Sequence, residues 1–200
     1  MNMKKAIFLD RDGVLIEDCH LIRSFSEVQV LDGVYNALAL FREMGYLLFI
    51  LSNQSVVARG LIGEEDCLAL HEKIEEEICR GEDYIKDRFL CFYHPHAQVL
   101  KYKREHKWRK PSGAALKYWS EKYNISLEKS FMIGDRTSDV ICGKQAGCTS
   151  ILIERTGRVG KNEKEQYTRH KDVENEKDTP DFCFDSLFSF SQKLKAGPIF

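Results

Sequence analysis

No run of apolar residues in this 200-residue chain is long enough to span a bilayer. The first such run, residues 6–9, ends at Asp10 and Arg11, too soon for the core of a signal peptide. A cytoplasmic location without a membrane partner is the expectation. Charge of one sign is also lacking. Thirty Lys and Arg face 31 Asp and Glu, a formal net charge of -1, which gives no general attraction to nucleic acid. CxxC pairs are absent although there are seven cysteines, Cys19, Cys67, Cys79, Cys91, Cys142, Cys148 and Cys183. That excludes a four-cysteine zinc motif and a thioredoxin-like motif. An odd, scattered set reads instead as reduced thiols, mostly buried as small hydrophobes. Internal repeats are missing too. At 43% hydrophobic, the chain can bury one core but is too short for two full-sized domains. A single domain over residues 1–200, acting as a monomer, is expected.

What is present is an alternation of short apolar runs with segments of helical period. Residues 6–9, 46–51, 89–93, 131–133 and 150–153 read as strands, with residues 182–184 as a possible last one. Between them, Val34, Leu38, Phe41 and Met44 share one helical face, closed by Gly45. Leu68, His71, Ile74 and Ile78 share another over residues 64–80, with His71 as a packed histidine. Residues 113–123, 138–146 and 186–194 read as further helices. Such alternation predicts an α/β fold, a Rossmann-like parallel sheet with helices on both faces. Active sites in these sheets lie at the carboxyl ends of the strands. Polar clusters fall there: Asp10-Arg11-Asp12, Ser52-Asn53-Gln54, the loop after Tyr93, and Gly134-Asp135. Residues 94–111 form a long loop, of the kind that is usually functional or disordered. Residues 161–178 carry charges of both signs and read as a solvated loop or weak helix.

Each cluster has a chemical reading and a plainer one. A carboxylate at a strand tip, Asp10, can attack phosphorus. A second carboxyl two residues on, Asp12, can protonate a leaving alkoxide and then deprotonate water. The plainer reading is an Asp-Gly turn. Asp135 and Asp139 can serve as turn residue and helix cap. They can also join Asp10 around a hard, oxygen-ligated cation such as Mg2+. Ser52, Asn53 and Gln54 offer a hydroxyl and amides that suit phosphate oxygens, and Lys110 can balance the charge of Asp10 and a phosphoryl group. Alone, each of these is routine at a loop or a surface.

Taken in order, DxD, SNQ, Lys-Pro and GDxxxD resemble the haloacid dehalogenase superfamily. The segments FLDRDGVL, DGVYNALALFREMGY, SNQSVVARG, RKPSGAAL and MIGDRTSDV are similar to the D-glycero-D-manno-heptose 1,7-bisphosphate and histidinol-phosphate phosphatase family. The resemblance covers most of the chain. It implies a Mg2+-dependent phosphatase working on a small phosphorylated substrate, with Asp10 as nucleophile and Asp12 as general acid/base. Ser52 and Lys110 would bind the transferring phosphoryl group. Asp10, Asp12 through its carbonyl, and Asp135 would hold Mg2+, supported by Asp139. Asn53, Arg59 and Arg109 match positions on the substrate side. It also implies that a large cap domain is missing, with residues 14–31 as a small flap.

The family often has a zinc loop, Cys-x-His then Cys-x-Cys before Arg-Lys-Pro, where this chain has Cys91, Tyr93, His106 and Trp108. A makeshift site from Cys91, His94, His96 and His106 is chemically open, but a metal-free loop with Cys91 buried is preferred. The resemblance leaves a heptose bisphosphate and histidinol phosphate as alternative substrates. The altered loop also raises a retired, phosphate-binding domain. The basic stretch Lys101, Lys103, Arg104, Lys107, Arg109 and Lys110 raises a second-phosphate site and, against the neutral net charge, a polynucleotide 3′-phosphatase. No nucleic-acid partner is expected.

Overall fold

The computed structural model describes residues 3–19, 21–154 and 178–197. The charged stretch 161–178 lies outside these, but for its last residue. Six strands of the described residues form one parallel sheet: β1 (Lys5–Leu9), β2 (Tyr46–Asn53), β3 (Ile85–Cys91), β4 (Phe131–Gly134), β5 (Thr149–Ile153) and β6 (Phe182–Phe184). Their spatial order is β3-β2-β1-β4-β5-β6. The chain steps from β1 outward to β3, then returns across the sheet to place β4 on the other side of β1. Crossover connections then leave in opposite directions from β1 and β4, so a crevice opens between their carboxyl ends.

Side chains alternate across β1, and both faces are dry. Ile7 and Leu9 pack with Leu48, Ile50 and Ile133 beneath α1 (Val34–Glu43) and the last helix, α6 (Leu187–Ala196). Ala6 and Phe8 face the other way, onto Trp119 of α4 (Ala114–Tyr123) and Cys142 of α5 (Thr137–Ala146). A strand buried on both faces reads as a continuous apolar run, which is why residues 6–9 stood out. A third cluster joins Val56 and Val57 of α2 (Ser55–Ala58) and Cys67 of α3 (Glu64–Cys79) to Phe92, Ala97 and Tyr102 under the long loop.

Two sequence expectations are corrected. The third strand begins at Ile85, not 89, and ends at Cys91. As the edge of the sheet it alternates buried Ile85 with exposed Lys86 and half-buried Asp87, so its start lacks an apolar run. Asp87 ties α4 to this edge, accepting from Trp119 Nε1 at 3.1 Å and Tyr123 Oη at 2.7 Å. On α3 the buried face is Cys67, Leu70, His71, Ile74 and Ile78, while Leu68 is 43% exposed. The smaller Cys67 holds the buried position that the helical spacing assigned to Leu68. No helix of the described residues is long and apolar enough to cross a membrane.

Candidate active site

Asp10 leaves the tip of β1 with its amide donating to Ile133 O across the crevice (2.9 Å). Its Oδ1 accepts from the Arg11 amide (2.7 Å), and its Oδ2 is ion-paired with Lys110 Nζ (2.8 Å). Lys110 also reaches Asp139 Oδ1 at 2.6 Å. Asp139 is the third residue of α5 and turns its other oxygen back to the Arg136 amide (3.1 Å). That caps the helix start with one oxygen and meets Lys110 with the other. Asp135 follows β4. Oxygens of Asp10, Asp135 and Asp139 lie within 4.8 Å of one another, and all three residues are buried.

Two glycines make this approach possible. A Cβ on Gly13, whose φ is +87°, would sit 2.2 Å from Asp135 Oδ2, and one on Gly134 would sit 2.1 Å from Asp139 Cβ. The DxDG motif thus needs glycine because Asp135 of the opposing motif occupies its side-chain space, and GDxxxD because its own Asp139 folds back over Gly134.

Three buried carboxylates meet two cations, Lys110 on Asp10 and Asp139 and Arg136 at 3.7 Å from Asp135, and remain short of positive charge. Burial opposes the charge on Lys110, but Asp10 and Asp139 outweigh it and hold its pKa above the ordinary lysine value. Burial pushes Asp139 up, with Lys110 pulling against it. With the lysine 2.6 Å away, the ion pair is the state that the geometry supports. The donors are all hard oxygens, the set that a small divalent cation takes.

Beside this cluster, Ser52 is the last residue but one of β2 and is buried. Gln54 Nε2 donates to Ser52 Oγ (3.0 Å) and to Asp12 Oδ2 (2.6 Å). Asp12 also takes the fork of Arg11, with Nε and Nη2 on Oδ1 (3.1 and 2.9 Å) and Nη2 on Oδ2 (3.1 Å). Asn53 pairs with the main chain of Lys110 in both senses, its Nδ2 donating to Lys110 O (3.0 Å) and its Oδ1 accepting from Lys110 N (3.2 Å). It joins two strand-tip loops 57 residues apart. Arg109 donates to Tyr93 O (2.8 Å).

A cavity of about 240 Å³ opens above these groups, lined by Asp10, Asp12, Ser52, Asn53, Arg109 and Lys110, with Asp18, Leu21 and Ile22 from the 14–31 segment. Asp18 is paired with Arg136 (2.8 Å), which also lines the cavity. Arg59 does not line it; it is exposed at the end of α2. The structure therefore gathers Asp10, Asp12, Ser52, Asn53, Arg109, Lys110, Asp135 and Asp139, and leaves Arg59 outside. Sequence reasoning assigned no role to Arg11, Arg136 and Asp18, and read Gln54 as a phosphate-holding amide, not as a partner of Asp12. Arg11 and Gln54 stood inside motifs already singled out, and an arginine wedged between two aspartates was the available signal.

The long loop is held differently. Asp10, Asp135 and Asp139 are the one cluster of potential metal ligands among the described residues, so Cys91, His94, His96 and His106 do not converge. His106 instead lies flat against Tyr93 (4.6 Å between ring centres, 8° between planes) and Phe89 (5.5 Å, 18°). Arg104 covers the Tyr93 ring, and Trp108 meets Phe89 edge-on. Burial, then Arg104 and Lys107, lower the His106 pKa and favour the neutral ring in the stack. The thiol of buried Cys91 points at Tyr93 O (3.9 Å). Lys101 is paired with Glu64 and Arg104 lies on Tyr93, so of the basic stretch only Arg109 and Lys110 line the cavity.

A sheet of this order, with carboxylates from β1 and β4 meeting at its switch point, defines a hydrolase of the haloacid dehalogenase type. The model of the haloacid dehalogenase-like hydrolase family matches residues 10–147, and a second hydrolase-like model matches residues 107–189. The chain belongs to this family, and its curated relatives there are phosphatases. It is similar to the D-glycero-beta-D-manno-heptose-1,7-bisphosphate 7-phosphatase of Pasteurella multocida, 36% identical over 78% of this chain and 84% of the relative. It is also similar to that of Photorhabdus laumondii, 35% identical over 80% and 86%. Among solved structures, the D,D-heptose 1,7-bisphosphate phosphatase of B. bronchiseptica, complexed with magnesium and phosphate, shares the fold. Its TM-score is 0.74 at 24% identity, with 97% of this chain and 99% of that one covered. A HAD-like phosphatase from Mesorhizobium loti has a TM-score of 0.69 at 27% identity, over 76% and 73%.

Proposed function

We propose that this phosphatase hydrolyses D-glycero-D-manno-heptose 1,7-bisphosphate through a phosphorylated Asp10. Asp10 is the nucleophile because its Oδ2, steered by Lys110, sits at the open crevice. A carboxylate oxygen attacks phosphorus, the bond from phosphorus to the sugar oxygen breaks, and Asp12 gives its proton to the departing alkoxide. Water then attacks phosphorus, the bond to Asp10 breaks, and Asp12 takes a proton from the water. Ser52 and Lys110 hold the phosphoryl oxygens. Asp10, Asp135 and the Asp12 carbonyl would hold Mg2+, with Asp139 beside them; the ion supplies charge neutralisation during in-line attack. Lys110, fixed between Asp10 and Asp139, supplies positive charge without having to reorganise.

The observation that carries this reading is the meeting of Asp10, Asp135 and Asp139 at the β1/β4 crevice, with Lys110 between Asp10 and Asp139. The bisphosphate rests on the relatives' activity and on the two further cations that line the cavity, Arg109 and Arg136. Residues 14–31 act as a small flap over it. The same reading places the enzyme in the cytoplasm, working as a monomer on a small metabolite.

Phosphate release from a panel containing the heptose bisphosphate, histidinol phosphate and a 3′-phosphorylated oligonucleotide tests it, with and without Mg2+. Turnover is expected to be fastest on the heptose bisphosphate and to stop with EDTA. Preference for histidinol phosphate would transfer the assignment, and uniformly weak rates would remove both.

A further inference from the structure

Lys110 places its Nζ between Asp10 Oδ2 (2.8 Å) and Asp139 Oδ1 (2.6 Å) from a loop that belongs to no strand or helix. Its stem is buried and has little room to make good a displaced main chain. The position of Nζ therefore depends on what fixes the main chain. Around it the turn is tied internally, with Arg109 N donating to His106 O (2.9 Å) and Ser112 N to Arg109 O (2.9 Å). Pro111, which follows, has no N–H to offer. Both main-chain polar groups of Lys110 go to one side chain. Asn53 Oδ1 accepts from Lys110 N (3.2 Å), and Asn53 Nδ2 donates to Lys110 O (3.0 Å). A carboxamide carries an acceptor and a donor side by side, as a peptide group does. Asn53 closes β2, where it pairs with Cys91 of β3, so this clamp joins the loop to the sheet. Ser52 and Gln54, on either side of it, meet each other instead (3.0 Å).

From this geometry we infer that Asn53 is a positioning residue, which acts on the transferring phosphoryl group through Lys110 by fixing its main chain to the sheet. The inference rests on the proposed role of Lys110. A residue that held the sugar would matter only for substrates that carry the sugar. A residue that sets Lys110 matters for every phosphate monoester, because Lys110 meets the group they share. A misplacement of about 1 Å near the reacting centre costs about a hundredfold in rate, and lysine's charge is a point at the end of a long stem. Aspartate would keep the acceptor but turn a second oxygen toward the Lys110 carbonyl. Glutamine would carry the pair one carbon further out. The position therefore calls for asparagine itself.

The test measures kcat and KM of Asn53→Ala, with Mg2+, on the heptose bisphosphate and on p-nitrophenyl phosphate, which has no sugar. On both substrates kcat is expected to fall about tenfold or more, and the two losses in kcat/KM should agree within about threefold. Asn53→Leu, close to asparagine in size, should show the same loss, and it carries the test if Asn53→Ala does not fold. In a Lys110→Met background, adding Asn53→Ala should cost almost no further turnover, since the group through which Asn53 acts is already gone. A loss confined to the heptose bisphosphate and seated in KM would overturn the inference and make Asn53 a sugar contact. Unchanged kcat on both substrates beside a lowered melting temperature would overturn it too, leaving Asn53 a purely structural tie. A full multiplicative loss in the double variant would do the same. Undiminished turnover in Lys110→Met alone would instead remove the proposed role of Lys110.

Discussion

The strand-tip site and the loop after β3 lie side by side and are built on opposite principles. At the strand tips, buried charges balance one another over 2.6 to 2.8 Å, and even hydrogen atoms on Gly13 and Gly134 stand in for space that carboxylates need. In the loop, Arg104, Tyr93, His106 and Phe89 stack as a ladder of flat groups, each 4.4 to 5.5 Å from the next. Buried charge pairs are unforgiving, because removing one partner strands the other in a medium that cannot solvate it. Stacked rings exchange more freely, since their attraction is spread over area and depends weakly on any one atom. A chemical site can therefore stay fixed while the loop beside it changes its means of support.

That contrast can be broken by experiment, and the largest effect is expected at the nucleophile. Asp10→Asn keeps the size of the side chain but not its anionic oxygen, and should cut turnover by more than about a thousandfold. Phosphate release beside an unchanged circular dichroism spectrum checks it; retained turnover would end the covalent assignment. Lys110→Met leaves Asp10 and Asp139 facing each other without the cation. Turnover should fall about a hundredfold or more, with a stability loss of about 3–5 kcal/mol in urea titration. A neutral outcome in both measurements would mean that the charge cluster is not what holds this end of the sheet.

Smaller effects probe the ground below and beside the site. His71 is kept uncharged in the fold, with a pKa near 3, while the unfolded chain protonates it near its ordinary value. Because the folded state binds fewer protons, this group's contribution is complete above the ordinary histidine range and is lost as pH falls through it. Between pH 8 and pH 5 the loss should be about 2 kcal/mol. His71→Met should flatten that part of the pH dependence, and an identical slope in both proteins would assign it elsewhere. In the loop, His106→Ala should cost about 1 kcal/mol of stability while leaving turnover at saturating substrate within a fewfold. A collapse of turnover to the level of the Lys110 variant would show that loop and site are one unit. Least of all, Lys101→Ala removes an exposed, solvent-screened pair with Glu64, and the thermal midpoint should stay that of the parent; a clear fall would show that the pair braces the loop.

Much of this was legible before any coordinates. The apolar runs at residues 6–9 and 131–133 located β1 and β4, because strands buried on both faces have no polar positions to blur them. Asp10 stood out directly after the first run, and Asp135 one glycine beyond the second. The edge strand was harder to see, since Lys86 and Asp87 face outward or anchor α4. Leu68 and Cys67 were misjudged because one helical step decides which of two neighbours meets the core. Arg11 and Gln54 went unnoticed as partners of Asp12, since 42 residues separate Gln54 from it and nothing local marks the pairing. Asn53 was expected on the substrate side; it lines the cavity, and nothing local showed that its amide also pairs with the Lys110 main chain.

The sequence by itself determined the strand–helix alternation, the acidic residues at the strand tips, and the glycines beside them, because these follow from burial period and from side-chain chemistry, which are local. Only the tertiary structure decided that β4 lies next to β1, that Lys110 enters between Asp10 and Asp139, and that stacked rings brace the loop. Those are contacts between segments far apart along the chain, and their energies come from distance and orientation in space, which the order of residues does not contain.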